Sequence, residues 1–195
     1  MSRSWLLTST FYGNWLPGDP RGFVTRVRDQ RVEDDDCVVR FEHDVPGTPY
    51  DEDLPGLWRA ALTQMKGPRV LIEQSQADAL IVQFQETATY RGWSLLAVAI
   101  MFNHVHWVVT VPGDPEPSDL LRDFKSYGSR VLNRQWGKRP NGTWWTESGS
   151  KRKLKDEQAV TNSVGYVQRQ PKPLVLWTAS GGCKPPEKRQ RTQSA

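Results

Sequence analysis

Apolar residues recur along the chain at spacings that distinguish strands from helices. Residues 4–10 (SWLLTST) predict a first strand. Residues 93–101 and 104–111 predict two apolar strands that meet in a tight hairpin at residues 102–103. Between them and the first strand, residues 76–92 predict a helix, because their apolar positions follow its turns and Gly92 ends it. Residues 57–65 predict a shorter helix, and residues 69–73 (RVLIE) predict a short strand.

The second half of the chain predicts two further helices. The first spans residues 119–136 with Ser118 as its N-cap, and it carries one apolar face. That face comprises Leu120, Phe124, Tyr127 and Val131. The second helix spans residues 156–170, has acidic residues in its first turn and ends before Pro171. This order of elements predicts an α+β fold, with a ferredoxin-like antiparallel sheet and helices on one face.

The length and the composition predict one folded domain with a distinct insertion and a tail. Residues 1–177 are expected to form the domain, and residues 24–54, which are acidic and lack periodicity, to form a surface insertion. Residues 178–195 are expected to be a basic, disordered tail. No apolar run suits a membrane span or a signal peptide, and the two cysteines match no disulfide framework. We therefore expect a reduced, cytoplasmic protein.

Charge is distributed unevenly along the chain, although the net charge is only +4. Residues 29–53 contain ten acidic and two basic residues, whereas residues 120–195 contain 16 basic and five acidic ones. The basic second half indicates either a polyanionic partner or an ordinary solvated surface. Charge alone does not decide between these two interpretations.

Two histidines, His104 and His106, lie in the predicted strand that follows the hairpin. Side chains at positions i and i+2 of a strand point to the same face, so the two imidazoles can converge on one cation. They are either a metal site or a pair satisfied by hydrogen bonds in a polar pocket. A metal site needs a third protein donor. The helix at 156–170 offers Gln170, one turn from Tyr166 on the same helical face.

Several motifs together resemble those of one protein family. The segment AVAIMFNHVHWVV (residues 97–109) resembles the VMPNHVHLLV signature of the single-tyrosine HUH transposases, which include insertion-sequence and repeat-element-associated tyrosine transposases. The order of FKSYGSRVLNRQWG, GTWW and YVQRQP resembles the same family's layout, and FYGNWLPGDPRG resembles its TYGTWLPGDPRG motif. The chain departs from the pattern at Phe102, where proline is commonest, and in lacking the usual WQ pair after residue 143.

The resemblance implies an HUH-endonuclease fold and a chemistry for each motif residue. His104, His106 and Gln170 would bind a divalent metal, Mg²⁺ or Mn²⁺, and Tyr166 would be the nucleophile. The tyrosine would form a covalent 5′-phosphotyrosine with single-stranded or hairpin DNA during transposition. Tyr127 is the competing tyrosine, but it lies on an apolar helical face with Val131 at i+4. The resemblance also implies a bacterial protein that is associated with the nucleoid, and we expect it to act as a monomer or a homodimer.

Basic and aromatic residues of the second half are the predicted DNA contacts. Cations can follow a phosphate backbone, and tryptophans can stack on bases or pack in the core. The predicted DNA-binding residues are Lys125, Arg130, Arg134, Lys138, Arg139, Trp144 and Trp145, with Trp136 as a further stacking residue. Two alternative functions stay open: a catalytically retired member that binds hairpin DNA, and a metal-dependent hydrolase that activates water.

Overall fold

The structure, a computed structural model, describes residues 2–19 and 55–184. The predicted acidic insertion at 24–54 lies outside these residues. Contacts divide the chain into two compact units, Trp15–Pro68 and the remainder (Met1–Asn14 with Arg69–Ala195), a division that the sequence analysis did not predict. In the smaller unit the described residues include helix α1 (Pro55–Thr63), which confirms the predicted short helix. The larger unit contains all the other described helices and strands.

An antiparallel sheet of six strands forms the framework of the larger unit. Its strands are β1 (Ser2–Thr10), β2 (Ser94–Ile100), β3 (His104–Pro112), β4 (Ser150–Leu154), β5 (Val175–Thr178) and β6 (Gly182–Lys184). Their order across the sheet is β4-β1-β3-β2-β5-β6. The first three strands, the hairpin between β2 and β3 and the α+β class are confirmed. The three helices of this unit are α2 (Gln74–Arg91), α3 (Pro117–Trp136) and α4 (Glu157–Gln168).

The packing face of the sheet, as we call it, is covered by α2 and α3. Alternate residues of the central strands point to this face, among them Leu7, Val98 and Trp107, and all three are fully buried. The Trp107 ring stacks on Phe124 of α3 with ring centroids 5.6 Å apart, and Phe84 of α2 meets Trp107 edge-on at 5.2 Å. Large aromatic side chains therefore fill the space between this face and its two helices.

The opposite face, called here the site face, carries the other set of alternating residues. Ala97 and Ala99 of β2 and Val108 of β3 pack there with Val167 of α4. Helix α4 thus lies on the other side of the sheet from α2 and α3. The expectation that the helices share one face was wrong for α4. Between α3 and α4 the chain forms strand β4 at one edge of the sheet, and from that edge it continues to the opposite face.

Three local predictions also require correction. Residues 69–73 form no strand: the amides of Val70 and Ile72 donate to separate loop carbonyls, those of Tyr12 and Phe102. Helix α3 begins after Glu116 rather than Ser118, since a proline occupies its first position. The tail expected from residue 178 was placed too early, because Gly182–Lys184 pair with β5 as strand β6. Residues 185–195 lie outside the described part of the chain.

Candidate metal centre and tyrosine

His104 and His106 lie side by side on the site face of β3. Their rings are 4.8 Å apart and nearly perpendicular, and their Nε2 atoms are 3.1 Å apart. His106 is buried and His104 is partly buried. The next residue, Trp107, points to the packing face, where its burial fixes the strand. The expectation that both imidazoles share one face is therefore confirmed, and the two nitrogens converge on a single point.

Each histidine also has a hydrogen-bond partner at its other ring nitrogen. The Nδ1 of His104 lies 2.7 Å from Oδ1 of Asn103, and the Nδ1 of His106 lies 2.7 Å from Oγ1 of Thr8. Thr8 is the direct cross-strand neighbour of His106 in the pairing of β1 with β3. Sequence analysis identified neither partner, although Asn103 directly precedes the histidine pair. The sequence carries no signal for Thr8, because its contact depends on the register of two distant strands.

Burial keeps both imidazoles neutral. Desolvation lowers the pKa of His104 from 6.5 to about 4. Desolvation, followed by the proximity of His104, lowers the pKa of His106 to about 3. A metal accepts a lone pair only from a neutral imidazole, so both rings are in the form that a ligand requires at neutral pH.

Tyr166 on helix α4 faces the same histidines. Its ring centroid lies 5.3 Å from that of His106, and its side chain is 44% exposed, so a large substrate can reach it. Asp156 fixes the start of α4 by accepting a hydrogen bond from the amide of Ala159. Val167, which follows Tyr166, is fully buried against the site face. The fold thus brings together three of the four residues predicted for the chemistry.

Gln170 is the fourth predicted residue, and it lies beyond the helix. Helix α4 ends at Gln168, not at residue 170 as predicted, with Arg169 as its C-cap. The Gln170 amide Nε2 donates to the backbone carbonyl of Tyr166 at 3.4 Å. Within residues 2–19 and 55–184, no group of three histidine, cysteine or acidic side chains is placed to hold a metal. The role of Gln170 as third ligand stays a prediction.

The separation of the two Nε2 atoms fits a shared cation. Two nitrogens bound at about 2.1 Å to one cation, with an angle between about 90° and 109°, lie roughly 3.0–3.4 Å apart. The observed 3.1 Å falls within this range. Imidazole nitrogen suits several divalent transition metals, including Mn²⁺. The donors present therefore fit a divalent metal, although they do not select one.

Three predicted DNA-binding cations are exposed on or just after α3. Arg130, Arg134 and Lys138 are exposed, and the guanidinium of Arg130 lies 4.8 Å from the Tyr127 ring centroid. Arg139 is partly buried with its guanidinium over Trp144 at 5.2 Å. Helix α3 covers the packing face, so these cations lie on the other side of the sheet from the histidines.

Lys125 has a different environment from the other cations. Its Nζ donates to the backbone carbonyls of Thr146, Glu147 and Ser148. Burial lowers its pKa to about 8, an effect that the Glu147 carboxylate opposes and Lys151 reinforces. Its donors are thus already used inside the protein, and the prediction that Lys125 follows a DNA backbone is not supported.

Trp144 and Trp145 are core residues. Each is only 3% exposed. Trp145 stacks on Phe11 with centroids 4.5 Å apart, and the Trp144 indole donates to Asn133 of α3 at 2.8 Å. The prediction that they stack on bases is wrong for this structure, because neither ring face is accessible. Trp136, at the end of α3, is 39% exposed.

Comparison with known proteins gives one family match and a set of distant structures. The family model described as "Transposase IS200 like" matches residues 63–170, which include the histidine pair, Tyr166 and Gln170. No curated protein matches the chain in sequence.

Two solved structures are similar to the chain. One is a REP-associated tyrosine transposase bound to a REP hairpin, with 12% identity and a TM-score of 0.44. The match covers 84% of this chain and 63% of that one, so the chain spans less than two thirds of that protein. The other is a protein from Deinococcus radiodurans R1 assigned as a transposase, with 16% identity and a TM-score of 0.45. That match covers 87% of this chain and 92% of the other.

Proposed function

Because the chain belongs to the IS200-like transposase family, we propose that it is a metal-dependent single-strand DNA endonuclease and strand transferase whose nucleophile is Tyr166. The observation that carries this proposal is the position of the Tyr166 ring, 5.3 Å from that of His106, on the face where two imidazole nitrogens converge. The proposed substrate is single-stranded or hairpin DNA, acted on during transposition in association with the nucleoid. No helix within residues 2–19 and 55–184 is long and apolar enough to cross a membrane.

His104 and His106 would hold the metal through their Nε2 atoms, with Gln170 as the proposed third ligand. A divalent metal such as Mg²⁺ or Mn²⁺ polarises phosphate oxygens and offsets negative charge in the transition state. The exposed face of Tyr166 gives a flexible strand access to the phenol oxygen. A buried tyrosine could not meet a substrate of this size.

The reaction exchanges one ester bond for another. The Tyr166 oxygen attacks the phosphorus, a bond forms between them, and the bond from phosphorus to the 3′ oxygen breaks. The phenol loses its proton and the departing 3′ oxygen gains one, so the products are a 5′-phosphotyrosine and a free 3′ hydroxyl. The covalent ester conserves the bond for a later joining step by the reverse reaction.

Four exposed cations, three on the α3 side and one on the site face, support a nucleic-acid substrate. Arg130, Arg134 and Lys138 lie on the α3 side. On the site face, Arg152 of edge strand β4 is exposed and lies opposite Leu6 in the β1–β4 pairing. We propose that the reacting strand passes Arg152 and that the remaining nucleic acid contacts the α3 side.

A covalent trapping assay tests the proposal. The protein is incubated with Mn²⁺ and with single-stranded oligonucleotides that form hairpins, copied from the DNA on either side of its gene, then separated under denaturing conditions. We expect an adduct with the wild type and with Tyr127→Phe, and none with Tyr166→Phe. Tyr127 is the matched control, because it also lies on a helix and is partly buried beneath Arg130.

The alternative functions give different results in the same assay. Cleavage without an adduct would show a hydrolase that activates water, and hairpin binding without cleavage would show a retired DNA-binding member. An adduct mapped to a tyrosine other than Tyr166 would overturn the assignment of the nucleophile. Replacing His104 and His106 by alanine should abolish cleavage and leave hairpin binding.

A further inference from the structure

The hydrogen bonds around the two histidines differ in what each partner atom can do. Asn103 presents its amide oxygen to Nδ1 of His104 at 2.7 Å, and an amide oxygen can only accept. The Nδ1 of His104 therefore carries the proton. In a neutral imidazole the other nitrogen is then bare, so the Nε2 of His104 has a lone pair directed at the point where the two rings converge.

Thr8 presents a hydroxyl to Nδ1 of His106 at 2.7 Å, and a hydroxyl can donate or accept. His106 can therefore adopt either neutral tautomer without losing this hydrogen bond.

A cation would require one of these two tautomers at His106. Its Nε2 must be bare to serve as a ligand, so the proton of the neutral ring lies on Nδ1 and the Thr8 hydroxyl accepts from it. Valine has the shape of threonine but can neither donate nor accept, whereas serine can do both.

We propose that Asn103 and Thr8 are positioning residues for the metal site, each accepting a hydrogen bond from Nδ1 of its histidine so that the Nε2 atom is bare for the cation. This inference rests on the proposed function in that it takes the histidines as metal ligands. Partners of this kind set the ring orientation and basicity of a histidine ligand. Asn103 is 4% exposed, and its backbone carbonyl accepts from the amide of Phe11 at 2.9 Å, which fixes its position.

Nuclear magnetic resonance tests the proton positions without any catalytic step. Long-range proton–nitrogen spectra of the chelator-treated wild-type chain, labelled at histidine nitrogen, report which ring nitrogen is protonated. We expect His104 to be protonated at Nδ1, with its signals assigned through His104→Gln. A His104 protonated at Nε2 would overturn the role of Asn103.

Calorimetric titration of the full chain with Mn²⁺ alone tests the role of Thr8. We expect Thr8→Val to weaken Mn²⁺ binding by about 10–100-fold. Thr8→Ser should bind like the wild type. The matched control is Thr110→Val, because the Thr110 hydroxyl bonds to Ser4 at 2.8 Å between the same two strands, away from the histidines. Equal Mn²⁺ affinity of Thr8→Val and Thr110→Val would overturn the role of Thr8.

Asn103 gives a second variant pair whose outcome is specific to the tautomer. Asn103→Asp keeps an acceptor at Nδ1 and should retain Mn²⁺ binding. Asn103→Leu removes the acceptor and should weaken Mn²⁺ binding by the same factor as Thr8→Val, about 10–100-fold. Circular dichroism of each variant checks the fold. These readouts involve no DNA: if they appear as expected while the wild type forms no adduct, the proposed function fails and the inference about the histidines stands.

Discussion

The two faces of strand β3 show how one short segment can combine core packing with a candidate site. Toward the packing face it presents Val105, Trp107 and Val109, which are all fully buried by α2 and α3. Toward the site face it presents His104 and His106, whose rings touch each other instead of a tight apolar layer. Burying polar rings costs free energy, and the aromatic packing on the reverse side offsets that cost. The packing face supplies the rigidity that the proposed two-histidine metal site needs.

The helices on the two faces differ in the same way. Helices α2 and α3 meet the sheet through large side chains, and α3 alone buries seven residues. Helix α4 buries only Ser163 and Val167 and meets alanines of β2. Small residues allow a close approach of helix and sheet, which brings Tyr166 to the histidines while its outer side stays exposed. Helix α4 thus buries few residues on the site face, and its packing positions the Tyr166 side chain.

The largest expected effect comes from breaking the packing face. Trp107→Ala should reduce the free energy of unfolding by about 3–5 kcal/mol, because the indole packs against Phe84 and Phe124. His106→Gln, on the neighbouring position of the same strand, should change it by less than about 1 kcal/mol while abolishing cleavage. Urea unfolding of both variants measures the difference. Equal destabilisation by Trp107→Ala and His106→Gln would show that stability does not depend mainly on the packing face.

Gly149 offers a test of how the loop before β4 supports the site face. A Cβ there would lie 2.5 Å from the backbone oxygen of Thr8 and 2.7 Å from Leu121. Gly149→Ala should therefore cost about 1–3 kcal/mol of stability and displace Thr8. Gly56→Ala is the control, since a Cβ at that helical position meets no atom within 4 Å. Thermal unfolding and Mn²⁺ titration of both variants would show whether stability and Mn²⁺ affinity fall together in Gly149→Ala.

Lys125 and Arg134, both on α3, separate a structural cation from an exposed one. Lys125→Met removes a donor from three backbone carbonyls and should cost about 1 kcal/mol. Arg134→Met should leave stability within about 0.5 kcal/mol. Its hairpin affinity should instead weaken, with the slope of log affinity against log salt falling by about 1. If Lys125→Met changed the salt dependence of hairpin affinity and Arg134→Met did not, Lys125 would be the nucleic-acid contact and Arg134 would not.

Lowering the pH should reduce the stability that the neutral histidines of the site face contribute, and this effect should be smaller than those of the substitutions above. The folded pKa values of His104 and His106 lie below the ordinary 6.5, at about 4 and about 3, so the unfolded chain binds protons first. The stability contributed by the neutral rings is complete above pH 6.5 and is lost as the pH falls toward these folded values. Urea unfolding with chelator, at several pH values, should show a shallower decline in the double variant His104→Gln/His106→Gln. If stability fell equally with pH in the wild type and in the double variant, groups other than these histidines would control the acid sensitivity.

The sequence predicted those parts of the molecule that depend on local pattern. Alternation placed His104 and His106 on one face, and the motif resemblance selected Tyr166. The sequence could not predict the position of Thr8, whose contact with His106 spans 98 residues and depends on strand register. It misassigned Trp144 and Trp145, since a short aromatic segment without periodicity looks the same whether it is buried or exposed. It missed β4, because an exposed edge strand of charged residues shows no apolar alternation.

Edge strand β4 also bears on self-association. Its sequence SKRKL places Lys151, Arg152 and Lys153 in succession at one edge of the six-stranded sheet. Among residues 2–19 and 55–184, the ion pairs of this strand comprise only that of Lys153 with Asp114, at 3.5 Å. A second copy that extended the sheet by pairing its own β4 here would bring like charges together. The same row of cations attracts a polyanion. The edge thus repels an identical strand and tolerates nucleic acid, which protects the fold from aggregation through strand addition.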